Sequence, residues 1–133
     1  MTRRATPLDV DGALLIDALG RRGLIESRFA TGNGWVHEVG GSIAGFALVT
    51  SSFYGRPFIE LVVVRESSRR SGIGRALVSC AIHQHRGSRV FTSTNESNVP
   101  MRCLVVGMGF TAAGTIHGLD PEDPELVFYF DGG

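Results

Sequence analysis

Lysine is absent from this chain. Its 133 residues carry thirteen basic side chains, and every one is arginine. That bias reads as the codon signature of a GC-rich genome, and it has one chemical consequence. Nucleotide-binding loops ending in Gly-Lys-Ser/Thr need the lysine to reach the terminal phosphates, so that class is excluded. Cysteine is scarce too. Cys80 and Cys103 have no partner at metal-ligand spacing, no metal is expected, and a reducing compartment would keep both as thiols. No apolar run is long enough to cross a membrane. The basic start, Met1-Thr2-Arg3-Arg4-Ala5, is not followed by the apolar core of a secretory leader, so the expected compartment is the cytoplasm. Charge of either sign is not in excess: thirteen acids balance thirteen arginines, which speaks against nonspecific nucleic-acid binding. Repeats, low-complexity stretches and linkers are missing as well.

What is present is the composition of a soluble globular protein, 43% apolar and 20% charged. The length implies one domain over residues 1–133. A chain of this size buries roughly two thirds of its surface and needs no disulfide or metal to fold. Thr6-Pro7 reads as a helix start, threonine as N-cap and proline in the first turn, with the helix running to about Leu19 before Gly20. A second helical piece covers Leu24 to Phe29, and Asn33-Gly34 reads as a turn. Trp35–Val39 and Ser42–Thr50 form a hairpin around Gly40-Gly41. After a loop from Ser51 to Pro57, the β-branched run Phe58–Val64 fits a buried strand.

From Gly72 to His85, the residues Ile73, Ala76, Leu77, Cys80 and Ala81 make one apolar helical stripe. Val90–Thr94 is the next strand. Strand, helix and strand at this spacing imply a right-handed crossover with parallel pairing. A further helix starts near Asn98 and ends at Gly107 or Gly109; strands near Phe110–Ile116 and Leu126–Phe130 close the chain.

The chemistry begins where Val62-Val63-Val64 runs through a polar loop into Arg69-Arg70-Ser71-Gly72-Ile73-Gly74-Arg75. A glycine-rich turn that opens a helix points several N–H groups and the positive helix end at one spot, the ordinary way to hold a phosphate without a metal. Glycines at 72 and 74 let a backbone approach an anion closely. A dinucleotide fold would want three glycines directly after its first strand and an acid further on, and neither is present. On the turn alone, a plain helix N-terminus and an anion site both stand.

Asn98 lies eleven residues before Gly109-Phe110, with Leu104 between them. Together with Arg69-x-x-Gly72-x-Gly74 after a strand ending at Val64, this resembles the GNAT N-acetyltransferase superfamily over essentially the whole chain. Gly40-Gly41-Ser42-Ile43-Ala44-Gly45-Phe46 looks like that family's second and third strands. Thr92–Met101 and Leu119–Leu126 are similar to stretches of its small stand-alone bacterial members. The resemblance implies an α/β fold with a mixed, mostly antiparallel sheet, splayed between the fourth and fifth strands and flanked by helices. It implies acetyl-coenzyme A as co-substrate and a small-molecule or peptide amine as acceptor. The backbone of Val62, Val63 and Val64 would bond the pantetheine arm. N–H groups from Arg70 through Ser71, Gly72, Ile73 and Gly74 to Arg75 would hold the pyrophosphate, with charge from Arg69, Arg70 or Arg75. Asn98 would lie near the mouth of the gap, and is also a natural helix N-cap. Dimers are common on such a fold, so a homodimer stays among the expected partners; nucleic acid and membrane do not.

The reaction implied is direct attack of an amine on the thioester. A backbone N–H near Val62 or Val63 would serve the developing oxyanion. Glu60 is the expected base. It is the only charge between Phe58 and Val64, and a carboxylate flanked by apolar residues should have a raised pKa. An exposed strand start is the alternative for Glu60, and the cluster Asp120, Glu122, Asp123, Glu125 is the second choice of base. His83 and His85 are expected to cap a helix end as cations; His37 and His117 show no partner. Val105 stands where the family usually carries a tyrosine, seven residues after the asparagine. Cys103, Ser97 and Ser93 are the nearby substitutes. A thiol pKa of about 8.5 makes the thiolate a tolerable leaving group without acid help. The rival function is a coenzyme A-binding regulatory module that lost turnover with the tyrosine. The acceptor loops, Arg21–Gly32 and Ser51–Pro57, are too mixed to name a substrate.

Overall fold

The computed structural model describes residues 1–132. In chain order the elements are β1 (Thr2–Arg4), α1 (Val10–Leu14), α2 (Arg22–Ala30), β2 (Gly34–Val39), β3 (Ser42–Phe53) and β4 (Arg56–Val64). They continue with α3 (Ile73–Gln84), β5 (Arg89–Asn95), α4 (Val99–Gly107), β6 (Thr111–Ile116) and β7 (Glu125–Asp131). The strands form one seven-stranded sheet in the order β1-β2-β3-β4-β5-β7-β6. Every neighbouring pair is antiparallel except β4 and β5, which are parallel, as the crossover through α3 requires.

Two cores cover the two faces. On one, Ile25 and Phe29 of α2 and Val10 and Ala13 from α1 bury against Val36, Phe46 and Leu48. On the other, Leu77, Val78 and Ala81 of α3 and Val105 of α4 bury against Ala47, Val49, Ile59, Val90 and Phe128. Gly45 sets how close α3 can come: a Cβ there would lie 2.7 Å from Ile73 Cγ2 and 3.1 Å from the Val63 carbonyl oxygen. Burial on this scale stabilises by about 2 kcal/mol per large side chain, so the helices are held mainly by these faces.

Four details depart from the sequence expectation. The basic start is a strand, ordered by ion pairs: Arg3 donates to both oxygens of Asp9 at 2.8 Å and also pairs with Glu38. The first helix ends at Leu14: the N–H groups of Leu15 to Asp17 still bond back to Asp11 and Ala13, and the buried Asp17 carboxylate then takes those of Leu19 (3.3 Å) and Arg21 (2.7 Å). The segment 51–57 is mostly strand. β3 and β4 meet at Tyr54-Gly55, both at positive φ (52° and 74°), the twist-matched two-residue hairpin turn. Gly34 begins β2; it lies where a Cβ would press 2.4 Å from the Phe29 ring.

The histidines also differ. His37 has partners: Nδ1 lies 2.6 Å from the Thr2 hydroxyl and Nε2 faces the chain's N-terminal amine at 3.4 Å. His85 is no cationic cap. Its Nε2 is buried without a hydrogen-bond partner, and burial, aided by Arg4, pushes its pKa down, which favours the neutral ring.

Candidate active site

The sheet opens between β4 and β5. The two strands pair only at Phe58–Phe91 and Ile59–Thr92. At the apex the Thr92 hydroxyl donates to the Ile59 carbonyl oxygen at 2.9 Å. Beyond it β4 stays with β3 as far as Val64–Gly45, while β5 stays with β7. Past the apex, one edge of β4 from Glu60 to Val64 therefore faces no strand, and its backbone groups there form an open template.

A bulge accompanies the opening. Leu48 opposes Leu61 and Val49 opposes Ile59, so Glu60 is a surplus residue on β4. Alternation is broken there. Ile59 packs on the α3 side, Leu61 and Val63 on the α2 side, and Val62 and Val64 return to the α3 side. Glu60 joins Leu61 on the α2 side.

The open edge leads into the arginine turn. Arg65 N–H still bonds the Ala44 carbonyl (2.7 Å), and the chain then makes a short 3-10 turn over Glu66–Ser68. Arg70 and Gly72 sit at positive φ (65° and 83°), and Ile73 begins α3. No side chain caps this helix, and its first intrahelical bond runs from Ala76 N–H to the Gly72 carbonyl at 3.0 Å. The N–H groups of Ile73, Gly74 and Arg75 therefore precede the helix's own acceptors. The two glycines have different reasons. A Cβ at Gly72 would meet open space, so that glycine is required by its backbone angle. A Cβ at Gly74 would lie 3.2 Å from Leu104 Cδ2 and 3.8 Å from Val64 Cγ2, so that glycine serves the packing of α3 against α4 and β4, which the sequence reading missed. Of the arginines, Arg65 donates to the Ser68 hydroxyl at 2.9 Å and Arg69 to the Val64 carbonyl at 3.4 Å. Ser71 donates to the Ser68 carbonyl. Arg70 and Arg75 are exposed; Arg75 lines a groove along α3 with Ser79, His83 and Arg86.

The opposite side of the fork is built from side chains. Glu60 is neither isolated among apolar residues nor at an exposed strand start. Arg28 of α2 donates to both of its oxygens, the second at 3.4 Å, and both side chains are three-quarters buried or more. The apolar isolation that its neighbours in sequence suggest is thus missing. Across the fork, Ser93 donates to Glu125 at 2.7 Å. Two other acids of the β6–β7 loop act as a clasp: Asp120 accepts from Asn95 Nδ2 (2.9 Å) and Asp123 from the Ser97 amide (3.1 Å) and hydroxyl (2.6 Å). Sequence reasoning passed over Arg28 as a partner, and over Phe91, Tyr129 and the Ser93–Glu125 pair. Only the two-residue alternation of β5 pointed at that face.

Among the candidate acids, Val105 is fully buried in the core. Ser93 and Ser97 already bond carboxylates. Cys103 is exposed and lines a separate groove between α4 and the β6–β7 pair. Asn98 is the N-cap of α4, its side-chain oxygen accepting from Met101 N–H at 3.2 Å. The fork therefore offers backbone bonding along one strand, a positive anion cradle at its end, and a carboxylate beside the apex. Among the described residues no group of histidine, cysteine and acids is arranged to hold a metal, and no helix is long and apolar enough to cross a membrane.

The Acetyltransferase (GNAT) family matches residues 14–110. No curated protein matches. Among solved structures, a GNAT-family acetyltransferase from Bacillus cereus is 30% identical, with a TM-score of 0.91 over 100% of this chain and 97% of the other. An N-acetyltransferase from Staphylococcus aureus is 23% identical (TM-score 0.79; 100% and 98% covered). A ribosomal-protein-alanine N-acetyltransferase from Brucella melitensis is 21% identical (TM-score 0.79; 98% and 99% covered). The last two likenesses speak for the fold alone.

Proposed function

The chain belongs to the GNAT acetyltransferase family, and from that premise we propose that, as a single domain over residues 1–133, it moves an acetyl group from acetyl-coenzyme A to a primary amine. The observation that carries this reading is the continuity of the fork: an unpaired β4 edge runs directly into an uncapped, glycine-opened helix N-terminus. An extended, hydrogen-bonding arm that ends in a pyrophosphate fits such a path; a compact nucleotide leaves the β4 edge unused.

Acetyl-coenzyme A supplies the activated acetyl thioester. The chain's own groups do the rest. The backbone of Val62, Val63 and Val64 bonds the pantetheine arm in the manner of an added strand. The amides from Arg70 to Arg75 hold the pyrophosphate, with Arg69, Arg70 and Arg75 adding charge. The basic groove along α3 continues from that cradle. Asn98 stands near the mouth of the gap. A Val62 or Val63 N–H donates to the acetyl carbonyl oxygen as it gains charge. Glu60 accepts the proton of the acceptor ammonium, directly or through water, and Arg28 sets its position. With Val105 apolar, the thiolate leaves without a built-in acid, tolerable for a group with a pKa of about 8.5.

Burial of Val105 also favours a second reading, a coenzyme A-binding regulatory module without turnover. Both readings predict acetyl-coenzyme A binding. Only the transferase predicts free thiol released in proportion to added amine. Tight binding with no thiol release across polyamines, amino acids, aminoglycosides and peptide N-termini would leave the module. A melting temperature raised by ATP but not by coenzyme A would overturn both.

A further inference from the structure

We propose that the face of the sheet opposite α3, beside Glu60, is the acceptor site, and that it selects protonated amines carrying an aromatic body on a short spacer. This rests on the transferase reading above. Ile59, Val90 and Phe128 point to the α3 side. Their strand neighbours Phe58, Phe91 and Tyr129 therefore point the other way, and they lie in one cross-strand row, Phe58 opposite Phe91 and Phe91 opposite Tyr129. Phe53, from the tip of the β3–β4 hairpin, folds onto this row. Its ring stacks on Phe58 at 4.7 Å and meets Phe91 at 5.3 Å; Phe91 meets Tyr129 at 5.8 Å. Phe53, Phe58, Phe91 and Tyr129 are all half-buried, so the row is a floor, not a core. It ends at the fork apex, where Phe58 is two residues from Glu60 and Phe91 two from Ser93.

Charge on this face selects a cation. Glu60 and Glu125, on either side of the fork, supply the carboxylates, and no described cation pairs with Glu125. The one arginine beside Glu60, Arg28, is engaged by it. Arg89, at the far end, lies over the Tyr129 ring at 4.7 Å and near Asp131 at 3.9 Å. From Cys103 onward the chain has no arginine but five acids. Arg56, opposite Phe53 at the hairpin tip, is a further exposed cation of this face, at the end of the row away from the apex. An amine therefore finds carboxylates at the apex while a flat apolar group covers the aromatic row.

The test is initial-rate thiol release with acetyl-coenzyme A and three acceptors: phenethylamine, n-butylamine and glutamate. The expected kcat/KM for phenethylamine exceeds that for butylamine at least tenfold, and glutamate is the poorest. In Phe91→Ala and, separately, Tyr129→Ala, that ratio falls about fivefold or more through KM for the aromatic amine, while KM for acetyl-coenzyme A holds. A ratio of two substrates on one preparation cancels any loss of folded enzyme, so an unstable variant still reports. Butylamine equal to phenethylamine, or a ratio unmoved in both variants, overturns the aromatic floor and leaves the transferase standing. No thiol release with any amine overturns both.

Discussion

The two sides of the fork are made of different material. The α3 side is backbone: an unpaired strand edge, two residues at positive φ, and a helix end whose first amides have no acceptor of their own. The face opposite α3, shared by α2, β4, β5 and β7, is side chain: a carboxylate held by an arginine, a serine–glutamate pair, and a row of rings. In the proposed transferase the first would recognise what every acetyl-coenzyme A has in common, an extended arm and a pyrophosphate. The second would recognise what differs among acceptors. A site written in the backbone resists most substitutions and constrains glycine; one written in side chains can be rewritten residue by residue.

The contrast can be broken experimentally. The largest expected effect is on turnover. Glu60→Gln should lower kcat about a hundredfold at neutral pH, the low end for losing a general base, without changing acetyl-coenzyme A affinity. Unchanged kcat would reduce Glu60 to a partner of Arg28. Next comes the opposite signature. Gly72→Val keeps the space but not the backbone angle, φ +83°. A β-branched residue there costs about 1–2 kcal/mol, so acetyl-coenzyme A affinity should fall about tenfold by titration calorimetry, with the acceptor preference untouched. Affinity equal to the parent's would remove the turn from the phosphate site.

Smaller still is Arg28→Ala. Partly buried pairs of this kind contribute about 1 kcal/mol. The melting temperature should drop by a few degrees, and acetyl-coenzyme A binding should be indifferent; a loss of that binding would mean that the two sides are not independent. The last effect is pH, which acts outside the fork. Burial holds the pKa of His85 down, and burial with the nearby N-terminal amine does the same for His37. Both therefore add stability above their unfolded pKa of about 6.5, and it is lost as pH falls. Asp9 is lowered by its hydrogen bonds to Arg3, and Asp17, despite burial, by those to Arg21. Their contribution is present above about pH 4 and is lost below it. A melting temperature flat from pH 7 to pH 3 would contradict all four.

The same contrast explains what was legible in advance. The α3 side lies within one continuous stretch, Val62 to Arg75, and a glycine at a strand-to-helix turn has few other uses, so local pattern reaches it. The order of strands and the apolar stripe of α3 were legible for the same reason: each is a short-range period. The other side draws on α2, the β3–β4 hairpin, β5 and β7, which only the fold brings together. Arg28 and Glu60 are far apart in the chain, as are Ser93 and Glu125, and neither member of a pair announces the other. β1 was illegible because ion pairs, not apolar alternation, hold Thr2–Arg4 in the sheet. Gly74 was half legible: its place was evident, but the Leu104 methyl it makes room for was not.

Glu60 is the odd residue in the register of β4 against β3. Count it out, and Leu61 follows Ile59 in unbroken alternation: Leu61 to Val64 keep their faces and their partners on β3, and only the bend that the bulge gives β4 loses its cause. The cleft is thus an arithmetic remainder of strand pairing. A single-codon deletion would take away Glu60 and the bend together and leave the rest of the register intact.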